Sequence, residues 1–117
     1  MDWYVVHTLT GKENQVKQTI ENTAHKRELD HLLGRILIPT EIEIRSTGGK
    51  RREIKRKLYP GYVVVEADLT DEIRHLIQQT DGVTKFLTTR WEGEDDDNAP
   101  RDVPIPLSSE EVERMLQ

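Results

Sequence analysis

The segment from Lys55 to Glu66 constrains the fold of this chain more than any other. Pro60 fixes its own φ angle and Gly61 frees the next one, so the backbone can turn sharply at this point. Three consecutive valines, Val63 to Val65, follow the turn. An apolar run of this kind predicts a strand that is buried on both faces. We therefore expect residues 61–67 to form the central strand of a sheet.

Helices are predicted from capping residues and from apolar residues that recur at helical spacing. Thr10 and Glu13 match a capping box at the start of the first helix, with Glu13 paired to Lys17 on its outer side. Thr70 caps the second helix, and Ser108 opens a third with another capping box. The first helix is expected to end near Arg27. Each helix has apolar residues that are expected to face inward: Val16, Ile20 and Ala24 in the first, Ile73, Leu76 and Ile77 in the second, and Val112, Met115 and Leu116 in the third.

The remaining strands are predicted from alternation and turn residues. Gly48 and Gly49 form a hairpin turn that joins a strand over residues 40–45 to a basic arm over residues 51–57, which is expected to project and to be mobile. Further strands are expected at residues 3–8, 35–38 and 83–87. The resulting order predicts an α+β fold, a ferredoxin-like and largely antiparallel four-stranded sheet flanked by helices, with an added basic β-hairpin.

The size and composition of the chain indicate a single domain over residues 1–117. The absence of Cys excludes disulfides, iron–sulfur clusters and thiol catalysis. No apolar run approaches the length that crosses a bilayer, and the N-terminus resembles no signal peptide, so we expect a cytoplasmic protein with no membrane partner. The apolar pattern of the third helix is still running at Gln117, which indicates a domain cut from a longer protein.

Charge is distributed unevenly along the chain. The net charge is −5, but residues 45–57 hold seven cations and one acid, whereas residues 91–117 hold nine acids and two cations. The acidic residues 92–97 lie in a predicted loop over residues 90–100, where a solvated loop is favoured over a calcium site because alternating ligands and a hinge glycine are missing. The basic arm has two interpretations, an edge that prevents aggregation and a phosphate-binding surface. Its candidate phosphate contacts are Lys50, Arg51, Arg52, Lys55, Arg56 and Lys57.

No motif in the chain indicates an enzyme. The four histidines, His7, His25, His31 and His75, lack metal-ligand spacing and nearby completing carboxylates. No glycine-rich phosphate cradle follows a strand. We therefore expect no catalytic residues, no metal and no cofactor.

The four aromatic residues Trp3, Tyr4, Tyr59 and Tyr62 have two interpretations, and the first is that they simply fill the core. Trp3 and Tyr4 point to opposite faces of their strand, so at least one of them lies off the main core or under the helices. Tyr59 and Tyr62 flank the Pro-Gly turn and either fill the core or form an exposed aromatic pocket. The small number of large apolar residues favours the exposed pocket.

Several segments together resemble the N-terminal domain of the bacterial transcription factor family NusG. They are Trp3-Tyr4-Val5-Val6-His7-Thr8, Gly11-Lys12-Glu13-Asn14, Lys57-Leu58-Tyr59-Pro60-Gly61-Tyr62-Val63-Val64-Val65, Asp81-Gly82-Val83-Thr84-Lys85-Phe86 and Pro104-Ile105-Pro106-Leu107. Each motif is weak by itself, but together they cover nearly the whole chain in order and at the family's spacings.

The resemblance implies a non-catalytic, monomeric elongation factor domain that binds RNA polymerase. It implies docking on the clamp helices of the largest subunit and a reach towards the gate loop of the second-largest subunit, with effects on elongation, pausing, termination and antitermination. Position by position, it assigns the clamp-helix seat to His7, Tyr59, Pro60, Tyr62, Val64 and Ile105. It assigns the gate-loop face to Arg74 and His75 and a contact with non-template DNA to Gln79 and Thr80, although Thr80 is equally well explained as a helix-end turn residue.

Two departures and one alternative accompany this resemblance. Full-length members of the family carry a second β-barrel (KOW) domain that contacts Rho and a ribosomal protein. We expect this chain to end before that domain and therefore to lack those contacts. Tyr59 stands where many members have Phe, and His7 is at a variable position. The alternative is an RNA-binding module on the same fold, but the chain lacks the paired aromatic motif of such modules and has a pI of about 5.4.

Overall fold

The computed structural model describes residues 1–91 and 101–116 of the chain. As far as residue 86 its helices and strands follow the predicted order, with a short 3₁₀ turn at Asp30–Leu32 after the first helix. The elements are β1 (Asp2–Thr8), α1 (Glu13–Lys26), β2 (Leu33–Leu37), β3 (Thr40–Thr47), β4 (Lys50–Lys57), β5 (Tyr62–Ala67), α2 (Asp71–Gln79), β6 (Val83–Phe86), β7 (Thr88–Trp91), β8 (Arg101–Pro104) and α3 (Ser109–Met115).

The main sheet has four strands in the order β2-β5-β1-β6, and all neighbouring strands are antiparallel. The predicted ferredoxin-like α+β fold is confirmed, and β5 is an inner strand as expected. Val63 and Val65 belong to the larger core, which includes residues of α1 and α2. Val64 belongs to a smaller core on the other face, together with Trp3 and Val112 of α3. The three valines are therefore buried on both faces because helices cover both sides of their strand.

Strands β3 and β4 form a separate two-stranded sheet. Gly48 and Gly49 connect them with φ angles of +59° and +78°, which suits a two-residue hairpin turn that needs positive φ at both central positions. Ile42 and Ile44 on β3 are more than half exposed, so one face of this hairpin remains uncovered by the rest of the described chain.

The helix caps were predicted correctly for two of the three helices. The Thr70 side chain accepts a hydrogen bond from the Ile73 N–H, and Ser108 and Glu111 form the predicted capping box. The prediction was wrong for α1, which begins at Glu13 after Lys12 and has no side-chain cap. The Glu13 carboxylate was predicted to lie on the outer side of the helix, but it is fully buried. It accepts a hydrogen bond from the backbone N–H of Gly61.

Two further predictions were wrong near the C-terminal end. Residues 88–91 and 101–104 pair as a second hairpin, whereas the sequence had predicted a loop beginning at Arg90. Its strands have four residues each, and the turn signals that usually mark a hairpin are replaced by a long acidic connection. Leu116 is 40% exposed instead of facing inward, because α3 ends at Met115. The predicted acidic loop over residues 92–97 lies outside the described residues.

Candidate functional site

The candidate site centres on two stacked rings that project from neighbouring strands. His7 of β1 and Tyr62 of β5 are direct cross-strand partners, and their ring centroids are 4.5 Å apart with planes tilted by 33°. Both side chains are half-buried. Because side chains alternate along a strand, they share a sheet face with Trp3 and Val64 and point away from α1 and α2.

Tyr59 and Pro60 extend this surface at the end of the sheet. Tyr59 is 40% exposed, and its hydroxyl donates a hydrogen bond of 3.2 Å to the backbone carbonyl of Met115 at the end of α3. The Tyr62 N–H donates to the Tyr59 carbonyl at 3.1 Å, which closes the turn between the two tyrosines. The predicted exposed aromatic pocket thus corresponds to a turn that holds Tyr59 outward and joins it to the His7–Tyr62 stack.

The buried carboxylate of Glu13, at the start of α1, holds the turn in place. One carboxylate oxygen accepts the Gly61 N–H at 3.0 Å, and the other accepts a hydrogen bond of 3.1 Å from Lys57 Nζ. Burial alone raises the pKa of Glu13, but hydrogen bonds from the backbone of Gly61, Glu13 and Gly11 and from the Lys57 ammonium outweigh it and lower the pKa to about 2. The carboxylate is therefore charged at neutral pH, and it holds the base of the basic hairpin against the start of α1.

Two residues that the sequence assigned to the clamp-helix seat are placed differently from the rest. Val64 is fully buried between Trp3 and Val112, so α3 separates it from any partner in this conformation. It supports the surface from beneath instead of lining it. Ile105 is half-buried, and its N–H donates to the Leu87 carbonyl at 3.1 Å, beyond the end of β6.

Two neighbours of the aromatic residues were not predicted from the sequence. Lys85 of β6 is the other cross-strand partner of His7, so Tyr62, His7 and Lys85 form a row across three strands. Lys85 is exposed. Met115 is the second, and its carbonyl receives the Tyr59 hydroxyl. The sequence carries no signal for either residue, because strand register and the docking of α3 both depend on distant parts of the chain.

The residues assigned to the gate loop and to DNA lie on α2 and at its end. Arg74 is half-buried and His75 is exposed. Gln79 is exposed and lines a cavity of about 220 Å³ with Thr19, Thr23 and Arg27 of α1. Thr80 is only 8% exposed, and its hydroxyl donates to the Leu76 carbonyl at 2.9 Å. This bond favours the helix-end interpretation of Thr80 over direct contact with DNA.

The cations of the β3–β4 hairpin do not form one uniform group. Lys57 is held by Glu13, and Arg56 is paired with Glu43 at 3.2 Å. The other four candidates for phosphate contact, Lys50, Arg51, Arg52 and Lys55, are exposed. Residues Arg45 and Arg52 are cross-strand partners, so like charges face each other on this hairpin.

No group of three or more His, Asp or Glu side chains in the described part of the chain is placed to hold a metal ion. No helix in the same residues is both long enough and apolar enough to span a membrane.

The fold and the site define a class of protein, the small ferredoxin-like α+β domains that present an aromatic surface next to a projecting basic hairpin. The sequence matches the family described as "Transcription termination factor nusG" over residues 1–116. The chain therefore belongs to the NusG family, as the resemblance had predicted. It is 35% identical over 116 residues to the transcription termination/antitermination protein NusG of Halalkalibacterium halodurans and 34% identical over 116 residues to that of Bacillus subtilis.

The alignments include 99% of this chain but only 61% of each of these two relatives, so the chain spans less than two thirds of their length. Among solved structures, Thermotoga maritima NusG matches 98% of the chain with a TM-score of 0.66 and 31% identity, and the match covers 55% of that protein. A chain from a heterodimer complex containing Spt4 of Methanococcus jannaschii matches all of this chain and 98% of its own length, with a TM-score of 0.57 and 21% identity. The second likeness supports the fold alone.

Proposed function

We propose that this chain is the RNA polymerase-binding domain of a NusG-type elongation factor and that it acts without catalysis. The observation that carries the proposal is the half-buried His7–Tyr62 stack, which lies next to the turn that exposes Tyr59. Exposed aromatic side chains on a rigid support are the usual anchors of protein interfaces. His7, Tyr59, Pro60 and Tyr62 would form the seat for the clamp helices of the largest polymerase subunit, with Ile105 at its margin.

The same proposal gives α2 the second contact with the polymerase. Arg74 and His75 lie on a helix that packs on the face of the sheet opposite the aromatic seat. A domain with contacts on two opposite sides can bridge a cleft, so these residues would reach the gate loop of the second-largest subunit. Bridging would hold the cleft closed and change elongation and pausing, and in the full-length protein it would contribute to termination and antitermination.

Contacts with nucleic acid form a further part of the proposal. Gln79 offers an exposed amide beside a small cavity and is the better candidate for the non-template strand, since the hydroxyl of Thr80 is already bonded within the helix. The exposed cations of the β3–β4 hairpin would lie near upstream DNA.

Residues 1–117 would form one domain of the NusG N-terminal type, acting as a monomer. The second β-barrel domain would be responsible for contacts with Rho and a ribosomal protein, which we do not expect from this chain. The family membership and the share of the relatives that the chain spans support this division.

An NMR titration of the labelled chain with an isolated clamp-helix coiled coil from its own polymerase tests the docking proposal. We expect chemical-shift changes at His7, Tyr59, Tyr62 and Lys85, and none on the exposed side of α1, for example at Gln18 and Asn22. The absence of shifts at millimolar partner concentration would contradict the proposal, and shifts centred on α1 would move the docking surface to the opposite face.

A further inference from the structure

A groove of about 450 Å³ lies between the base of the β3–β4 hairpin and the start of α1. Ile36, Leu37 and Ile38, at the end of edge strand β2, form its apolar floor. Asn14 and Lys17 line one wall, and Thr40, Lys55 and Lys57 line the other. Lys55 and Lys57 are among the predicted phosphate contacts of the hairpin, but none of the predicted contacts includes Asn14, Lys17 or the apolar floor, so none accounts for the groove as a whole.

The groove carries an uncompensated positive charge. No carboxylate appears among its lining residues, and neither Lys17 nor Lys55 has an ion pair or a hydrogen bond within the described part of the chain. Lys57 is different, because its ammonium group is held at 3.1 Å by the buried, charged Glu13. Lys17 and Lys55 therefore face the groove as unpaired cations. The ammonium group of Lys57 is fixed in position by Glu13 and has further N–H donors available.

The two lysines on the hairpin wall of the groove share one face of β4. Lys57 and Lys55 are two residues apart on β4 and therefore lie on one face, about 6.6 Å apart along the strand. Glu53 and Arg51 follow on the same face further along β4 and are both exposed, so the carboxylate of Glu53 separates Arg51 from the two lysines. The cations that favour an anion are therefore the three that line the groove. Lys17 stands on one wall and Lys55 and Lys57 on the other, and ammonium groups distributed along both walls suit an extended anion with several charges better than a small anion with one.

We propose that this groove binds the phosphodiester backbone of a single-stranded nucleic acid. Lys17 and Lys55 would contact phosphates from the two walls, Lys57 would provide a third contact, and the Asn14 amide would donate to a phosphate or sugar oxygen. The apolar floor would accept a sugar or a base face, which single strands expose and duplexes do not. The inference does not rest on polymerase docking, since the His7–Tyr62 stack points away from α1.

Fluorescence anisotropy with labelled single-stranded RNA and DNA oligonucleotides at several salt concentrations tests this inference. We expect dissociation constants in the range of non-specific binding, about 10⁻⁴–10⁻⁶ M, that rise with salt. Lys17→Gln and Lys55→Gln should each weaken binding several-fold and reduce the logarithmic salt slope by about 0.7, the value for one phosphate contact on a single strand. The matched control is Lys26→Gln, which removes the same charge from an exposed position of the same helix outside the groove and should retain most of the affinity.

Four results would overturn the inference. They are no binding at low salt, equal losses for Lys17→Gln and Lys26→Gln, a duplex that binds as tightly as a single strand with the same dependence on Lys17, and inorganic phosphate that competes as well as the oligonucleotide at equal phosphate concentration. The first two would show that the groove has no role beyond general charge. The third would replace the single strand with a duplex, and the fourth would define a small-anion pocket.

Discussion

The carboxylate of Glu13 accepts the backbone N–H of Gly61 at a distance of 3.0 Å, although the two residues are 48 positions apart in the chain. The same carboxylate binds Lys57 at the base of the hairpin. It therefore joins the start of α1, the end of β4 and the turn before β5. Because Tyr59 and Tyr62 flank that turn, a buried charge on one side of the sheet fixes the aromatic surface on the other.

Replacing Glu13 by Gln should lower the free energy of unfolding by about 1–3 kcal/mol. The amide keeps the shape of the side chain but removes the charge that compensates Lys57 and weakens the bond to Gly61. Chemical denaturation measures the change. Glu21→Gln removes the same charge from an exposed position of the same helix and should stay within about 0.5 kcal/mol of the parent protein. Equal effects of the two substitutions would contradict a special role for Glu13.

Acid should weaken the fold through the same carboxylate. Its pKa is about 2 in the folded protein and 4.5 in the reference state, so the folded state binds the proton less readily than the unfolded state. The stabilisation is therefore fully present above pH of about 5 and is lost as the pH falls towards 2, with an upper bound of about 3 kcal/mol. Denaturation curves between pH 7 and pH 2 measure it. Glu13→Gln should show a smaller loss over this range, and an unchanged pH dependence in that variant would contradict the assignment.

Gly34→Ala should destabilise the edge of the sheet. A Cβ atom at this position would overlap the side chain of Glu66, whose carboxylate accepts the Arg35 N–H at 3.2 Å. Moving Glu66 away would break that bond, so we expect a loss of about 1–2 kcal/mol in unfolding free energy. In a double-mutant cycle, Gly34→Ala should lower the free energy of unfolding by a smaller amount when Glu66 is also changed to Ala. Strict additivity of the two changes would show that the overlap is not the cause.

Tyr62→Ala should weaken docking on the clamp-helix coiled coil by about 2 kcal/mol or more, a factor of roughly 30. The substitution removes one half of the stacked pair that the proposal places at the centre of the interface. Binding affinity and thermal unfolding should be measured on the same samples. Val64→Ala is the informative comparison, because Val64 is fully buried beneath α3 and should lose about 1.5–3 kcal/mol of stability instead. If Tyr62→Ala unfolds the domain with no loss of affinity in the folded fraction, Tyr62 serves the core and the docking proposal is wrong.

Much of the fold follows from local patterns. The valines of β5, the apolar spacing of α1 and α2, and the capping residues Thr70 and Ser108 each carry information that spans only a few residues. Alternation also predicted that Trp3 and Tyr4 lie on opposite faces of β1, and they do, since Trp3 packs under α3 and Tyr4 packs against the larger core. Such features are predictable because helices and strands have fixed periods.

The candidate site was predictable in part. Tyr59, Pro60 and Tyr62 share one turn, so their common location follows from the sequence. The resemblance also named His7, but the stacking of its ring on Tyr62 depends on strand register. Lys85 and Met115 were not predicted, because they join this surface only through strand pairing and helix docking. Val64 shows the limit of assigning site residues from a family resemblance. It lies in the strand as predicted, but α3 buries it, and the docking of α3 could not be read from the sequence.

The sequence by itself determined the order of the elements, the buried strand and the family, because these depend on local periodicity and on motifs that are contiguous in the chain. Only the tertiary structure decided the role of Glu13. Its spacing from Thr10 satisfies the rule for a capping box, and no local feature distinguishes a carboxylate that caps a helix from one that is buried beneath it. A buried charge takes whichever donors the packed chain brings within reach, and here they are Gly61 and Lys57.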